Sequence, residues 1–215
     1  MGNVMAAFPG LIRRLGVDPS GQLVHVGAHE GQEMPYYYEA GFTNITLVEP
    51  IPDLARQLRT RFPMTEVVEA ACTDRDNELA QLHVMAKTNM STLVAPQSRD
   101  QVVDSYLVQT RRLDAIAPNA KVAVIDAQGL ELEVLEGAPW DSLELLIVES
   151  CTEDDSTMAS PYDLVTEVVT THGFVEVDRW VRDYDFVNKW ARGNRQQKVT
   201  GGEVRDVVFQ RGDLL

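Results

Sequence analysis

The chain has 215 residues, 44% of them hydrophobic and 24% charged, and a formal net charge of −14. That length suits one large domain able to bury a full core, and the acidic balance excludes a general polyanion binder, because phosphate contacts need a cationic face. Cys72 and Cys151, the two cysteines, are too few for a disulfide scaffold and read as the reduced thiols of a cytoplasmic protein; no apolar run is long enough for a bilayer, and no signal pattern opens the chain.

Taken in chain order, residues 4–15 predict a short helix within a leading segment, 1–20. Residues 23–26 predict a first strand that runs into the turn Gly27-Ala28-His29-Glu30-Gly31. Helical periodicity covers 32–40, with Gly41 as its cap, and 45–48 predicts a second strand ending at Glu49-Pro50. Pro52 suits the first turn of a helix that stops near Phe62-Pro63, and 66–71 predicts a third strand. Residues 73–113 break this rhythm and read as an insertion on the substrate side, with extended segments at 79–85 and 105–113 and a polar loop at 89–93. Residues 122–125, apolar on both faces, suit a central parallel strand ending at Asp126. A helix then runs to Glu136-Gly137, and a further strand, 143–148, ends at Glu149. A helix at 162–172, strands at 174–177 and 204–209, and a polar flap at 188–202 complete the pattern. The alternation predicts an α/β sheet with crossover helices, the whole of 1–215 forming one domain.

In such a sheet ligands gather at the carboxyl ends of the strands. His29, Glu49, Asp126, Gln128 and Glu149 all fall there. Glu49 lies 22 positions after Gly27, the separation at which an acid can accept hydrogen bonds from both ribose hydroxyls. The turn reads G-x-x-x-G and lacks the third glycine and pyrophosphate cradle of dinucleotide binders. A ribose-bearing cofactor without a pyrophosphate fits better, with S-adenosylmethionine foremost. Ala71 and Cys72 could line a slot for adenine, or be small core residues. Asp126 could hold a cofactor ammonium, act as general base or cap the helix that follows; Glu149 and His29 are the other candidate bases. His25 and His29 straddle a strand–turn junction rather than one helical face, so no zinc site is expected, and the chemistry is read as metal-independent. The acids at Glu153, Asp154 and Asp155 argue against a nucleophilic Cys151. Tyr36, Tyr37, Tyr38, Trp180, Tyr184 and Trp190 could stack on a ring, or simply pack.

The blocks 24–31, 48–50, 70–74, 89–93, 125–138, 147–149 and 205–211 together resemble the FkbM-type family of S-adenosylmethionine-dependent methyltransferases. The most specific is Ile125-Asp126-Ala127-Gln128-Gly129-Leu130-Glu131-Leu132-Glu133-Val134-Leu135-Glu136-Gly137-Ala138, close to the family's I-D-V-E-G-x-E-x-x-V-L-x-G-A. The resemblance implies a Rossmann-like class I fold, a seven-stranded, mostly parallel sheet with an antiparallel last strand. It implies O-methylation of a sugar or small-metabolite hydroxyl, with Gly27, Ala28, His29, Gly31, Glu49, Pro50, Ala71, Cys72, Ser91 and Asp126 around the cofactor and Asp126, Glu149 and His29 as catalytic candidates. His25, His29 and Gln128 stand where the family usually has Asp, Asn and Glu, and Gln128 cannot serve as a base. The alternatives are a binding module without catalysis, or an NAD-dependent oxidoreductase. A small-molecule or glycan acceptor is expected, with no nucleic-acid or membrane partner.

Overall fold

The computed structural model describes residues 4–86, 88–94, 102–152, 159–182 and 204–215. The expected flap at 188–202, together with Tyr184, Trp190 and Glu153–Asp155, lies outside them. Among the described residues no helix is long and apolar enough to cross a membrane.

After a 3-10 turn at Val4–Ala7, α1 (Phe8–Leu15) buries Phe8, Leu11 and Ile12 on one face, and left-handed Gly16 closes it by donating its N–H to Ile12 O. The strand β1 (Gln22–Val26) follows, then α2 (Met34–Glu39), β2 (Ile45–Val48), α3 (Pro52–Arg61) and β3 (Glu66–Val68). In α3, Pro52 and Asp53 open the first turn and Arg59 and Arg61 close the last, which matches the helix dipole at both ends. The chain continues through β4 (Ala71–Cys72), β5 (Leu79–Met85), β6 (Val102–Arg111), α4 (Leu113–Ile116), β7 (Ala120–Ile125) and α5 (Glu131–Glu136). It ends with β8 (Leu145–Cys151), α6 (Tyr162–Thr171), β9 (Phe174–Arg182) and β10 (Val204–Arg211).

Seven strands form one sheet in the order β3-β2-β1-β7-β8-β10-β9, and only the last strand, β10, runs antiparallel to its neighbours. The sheet has a core on each face. Phe8, Met34, Tyr37 and Leu58 from α1 to α3 pack on one; Leu113, Val134 and Val165 from α4 to α6 pack on the other. Central strands β1, β7 and β8 are therefore apolar on both sides.

Several boundaries differ from expectation. The third strand, expected over 66–71, is two: β3 stays in the large sheet, while Ala71 and Cys72 pair in parallel with Thr110 and Arg111 of β6. The insertion thus builds its own three-stranded sheet, β4-β6-β5. The segment expected as strand to 113 ends at Arg111, because Leu113 turns inward to start α4. The next central strand does not end at Glu149 but runs on to Cys151, since β10 supplies pairing partners that far. That same pairing extends β9 beyond Val177 to Arg182. The α2 helix begins only at Met34, since the turn after β1 closes at left-handed Gly31.

Candidate active site

Strand register sets the site. Val26 pairs with Val48 of β2 and Ile125 of β7, and Ile125 pairs with Val148 of β8. The next residues, Glu49, Gly27, Asp126 and Glu149, therefore form one row along the carboxyl edge. The pairing of Glu149 with Asp206, and of Asp206 with Trp180, carries that row across β10 to β9.

Glu49 is 4% exposed. Its Oε2 accepts the N–H of His29 at 2.8 Å and its Oε1 that of Ile51 at 2.9 Å. Burial pushes its carboxyl up to about 7; the two amide donors pull against this and the Asp126 charge adds to it. Pro50 follows, half-buried.

The glycines of the turn accommodate the protein itself. A Cβ on Gly27, at φ +80°, would lie 1.9 Å from the carbonyl oxygen of Asp126; one on Gly31, at φ +68°, would strike Phe62 and Leu58. The N–H groups of Gly27 and Ala28 donate to Val48 O and that of Gly31 to Ala28 O, while Ala28 is buried in the core. The amides of Gly27, Ala28 and Gly31 are thus used within the protein. What the turn presents is a side chain. His29 sits at φ +47°, its Nε2 lies 2.8 Å from Thr88 Oγ1, and its buried Nδ1 has no partner among the described residues. His25, one turn earlier in sequence, is instead a core residue held by the buried Tyr37 hydroxyl.

At the other end of the row, Gln128 reaches back at φ +51° and its Nε2 donates to both Asp126 Oδ1 and Glu149 Oε2. Two carboxylates cannot donate to one another, and the shared amide supplies a donor to each. Asp126 is half-buried and Glu149 only 2% exposed. Asp126 does not cap α5, and Leu130 at the N-cap makes no side-chain bond. The loop before the helix is held instead by Glu131, which the sequence reading passed over as one polar position in the family block. Fully buried, its Oε1 accepts the N–H of Ala127 and Gly129, and its Oε2 accepts both the N–H and the hydroxyl of Ser160. Burial raises its carboxyl to about 7. Oxygens of Asp126, Glu131 and Glu149 lie within 4.8 Å of one another. The donors of the 127–129 loop and Ser160 occupy Glu131, and the Gln128 amide lies between the other two.

Ala71 and Cys72 are buried, Ala71 in a small cluster under the insertion and Cys72 in the core beneath the sheet, its thiol pushed up to about 12 by burial. Ser91 accepts the N–H of Met85 and so stabilises its own hairpin. Its neighbours reach the site: Thr88 touches His29, and Thr92 donates to the carbonyl of Gln128. Neither threonine stood out in the sequence; the signal was only a polar loop between two extended segments.

The methyltransferase FkbM domain matches residues 25–187. This chain belongs to that family. It is an S-adenosylmethionine-dependent methyltransferase, and the sheet described above is the Rossmann-like class I fold. A search of the curated proteins found no match. Among solved structures, this methyltransferase resembles an S-adenosylmethionine-dependent methyltransferase of Geobacter sulfurreducens in complex with S-adenosylhomocysteine, at TM-score 0.55 and 8% identity over 98% of this chain and 91% of that one. A proposed sarcosine dimethylglycine methyltransferase of Galdieria sulphuraria gives 0.57 at 10% identity over 97% and 85%. A proposed RNA methyltransferase of Pyrococcus horikoshii gives 0.55 at 12% identity over 98% and 84%. Likeness at such identity establishes the fold alone.

Proposed function

We propose that the methyl group goes to a hydroxyl oxygen of a sugar or small metabolite, with the cofactor held at the Glu49–His29 end of the row and the acceptor at the Asp126–Glu149 end. The Asp126–Gln128–Glu149 arrangement carries this reading. A hydroxyl acceptor must give up a proton as its oxygen attacks, and this end of the row offers a carboxylate to receive it. Asp126, the more accessible of the pair, is the base in this reading. Gln128, bonded to both acids, orients it. The overall charge of −14 favours a small neutral acceptor over a nucleic acid.

The cofactor supplies a methyl group on a sulfonium, an electrophile that needs no metal for its activation. The residues present fit it. Each Glu49 oxygen carries one N–H donor and retains a lone pair for a ribose hydroxyl. The unpartnered Nδ1 of His29 is a second polar atom awaiting a ligand. Alignment of acceptor and methyl carbon, rather than covalent chemistry by the protein, supplies much of the rate.

Calorimetry with S-adenosylmethionine and S-adenosylhomocysteine tests the cofactor end. Losing hydrogen bonds to a charged acceptor costs about 1.5–3 kcal/mol, so Glu49→Ala should bind either ligand about a hundredfold more weakly; equal binding by both proteins rejects the placement. Transfer of a labelled methyl group to a panel of sugars and polyols tests the other end. Product from wild type and none from Asp126→Asn is expected. Binding without any transfer would instead favour a module that has lost catalysis.

A further inference from the structure

The insertion does more than widen the substrate side. Strand order reverses between β1 and β7: the chain steps outward through β2 and β3, then crosses back to lay β7 against the other edge of β1. The crevice at such a reversal is where doubly wound sheets take their ligands. The loops on its two sides, after β1 and after β7, each contain one non-glycine residue in the left-handed region, His29 and Gln128; Asn77 is the only other among the described residues. Such conformations are strained for a residue with a Cβ and persist only where surrounding contacts hold them. Both are held by the same short loop. Thr88 Oγ1 lies 2.8 Å from His29 Nε2, and Thr92 Oγ1 donates to Gln128 O at 2.8 Å.

That loop is itself well anchored. Thr92 exchanges two backbone hydrogen bonds with His83 of β5, at 2.9 and 3.1 Å, and its hydroxyl also accepts the N–H of Val94. Ser91 ties it to Met85. Thr92 is buried, whereas Thr88, at the far end, is exposed and touches the imidazole with its hydroxyl. A threonine hydroxyl can donate or accept, so it fixes the ring in either tautomer. With Nε2 engaged, Nδ1 is the ring atom left for a ligand.

We infer that residues 88–92 form a strap across the cofactor crevice and that Thr88 is a positioning residue, acting through His29 on how tightly the adenosyl ligand is held, with Thr92 anchoring the strap to the Gln128 loop. This rests on the cofactor lying at the Glu49–His29 end of the row. The two ties act as one device, because the bond from Thr92 fixes the loop that carries Thr88 to His29.

Calorimetric titration of the full chain with S-adenosylhomocysteine tests it. Thr88→Val should weaken binding about tenfold and Thr88→Ser, which keeps the hydroxyl, less than twofold. Both should melt like wild type, since Thr88 makes no core contact. Thr92→Val should weaken binding similarly, and the double variant should be no weaker than the weaker single one. Unchanged affinity in Thr88→Val overturns the strap, as does equal loss in Thr88→Ser. Fold-losses that multiply in the double variant overturn the single device. Should Thr92→Val lower the melting temperature, the two Thr88 variants decide alone. Failure of wild type to bind would sink the cofactor placement instead, a result separable from all of these.

Discussion

Gln128 illustrates how one uncharged side chain can govern two charges. Its amide donates to both Asp126 and Glu149, the second of them 21 residues further along the chain. Gln128→Met keeps the volume and removes that donor. The two acids then face each other across an apolar side chain without their shared donor. A lost partner at a buried polar group costs about 1–3 kcal/mol, a melting shift of roughly 5 °C in a protein of this size. Thermal melts should show that shift. A melt like that of wild type would mean that the amide serves packing alone. At this scale the sequence was partly legible. Acids at strand ends, and an acid at the ribose-binding distance from a glycine turn, could be read directly from spacing. The partners of those groups could not: Glu49 meets His29 and Ile51 through backbone amides, which carry no sequence signature.

Elements were easier to read than their edges. Apolar runs marked β1, β2, β7 and β8 because strands buried on both faces are mostly apolar. Edges went astray where a neighbouring strand decided them, as when β10 carried β8 past Glu149 to Cys151. The start of α5 shows the same dependence on distant partners. Glu131, the first residue of the helix, gathers amides from the preceding loop and from Ser160, just before α6. Glu131→Gln leaves one carbonyl oxygen for four donors and aims an amide N–H₂ at groups that themselves donate. Leaving buried donors without their acceptor costs about 1–3 kcal/mol. Chemical denaturation should register a loss of that order, with the 127–129 amides exchanging faster than in wild type. A loss below about 1 kcal/mol would mean that the loop is held by other contacts.

Across the whole molecule, burial of acids makes stability depend on pH in the direction opposite to the usual salt-bridged protein. Glu49 and Glu131 keep their protons up to about pH 7 in the folded chain, whereas the unfolded chain releases them near 4.5. Between these values the native state binds more protons, so stability falls as pH rises, by on the order of 3 kcal/mol for each group across the window. Asp18 and Asp76, held low by Ser20 and Arg111, act with the opposite sign, but they are surface groups and titrate below this window. The net charge of −14 also disfavours the compact state as pH climbs. Salt separates the two causes, because it screens surface repulsion and leaves buried groups almost untouched. Melting temperatures at high ionic strength should therefore still be higher at pH 5.5 than at pH 8, and Glu49→Gln should flatten the slope. Ligand binding adds a second reading of the same acid. Accepting ribose hydroxyls favours ionised Glu49, so S-adenosylhomocysteine should raise the melting temperature more at pH 8 than at pH 5.5. In Glu49→Gln that difference should vanish; its survival there would place the titrating group elsewhere on the row.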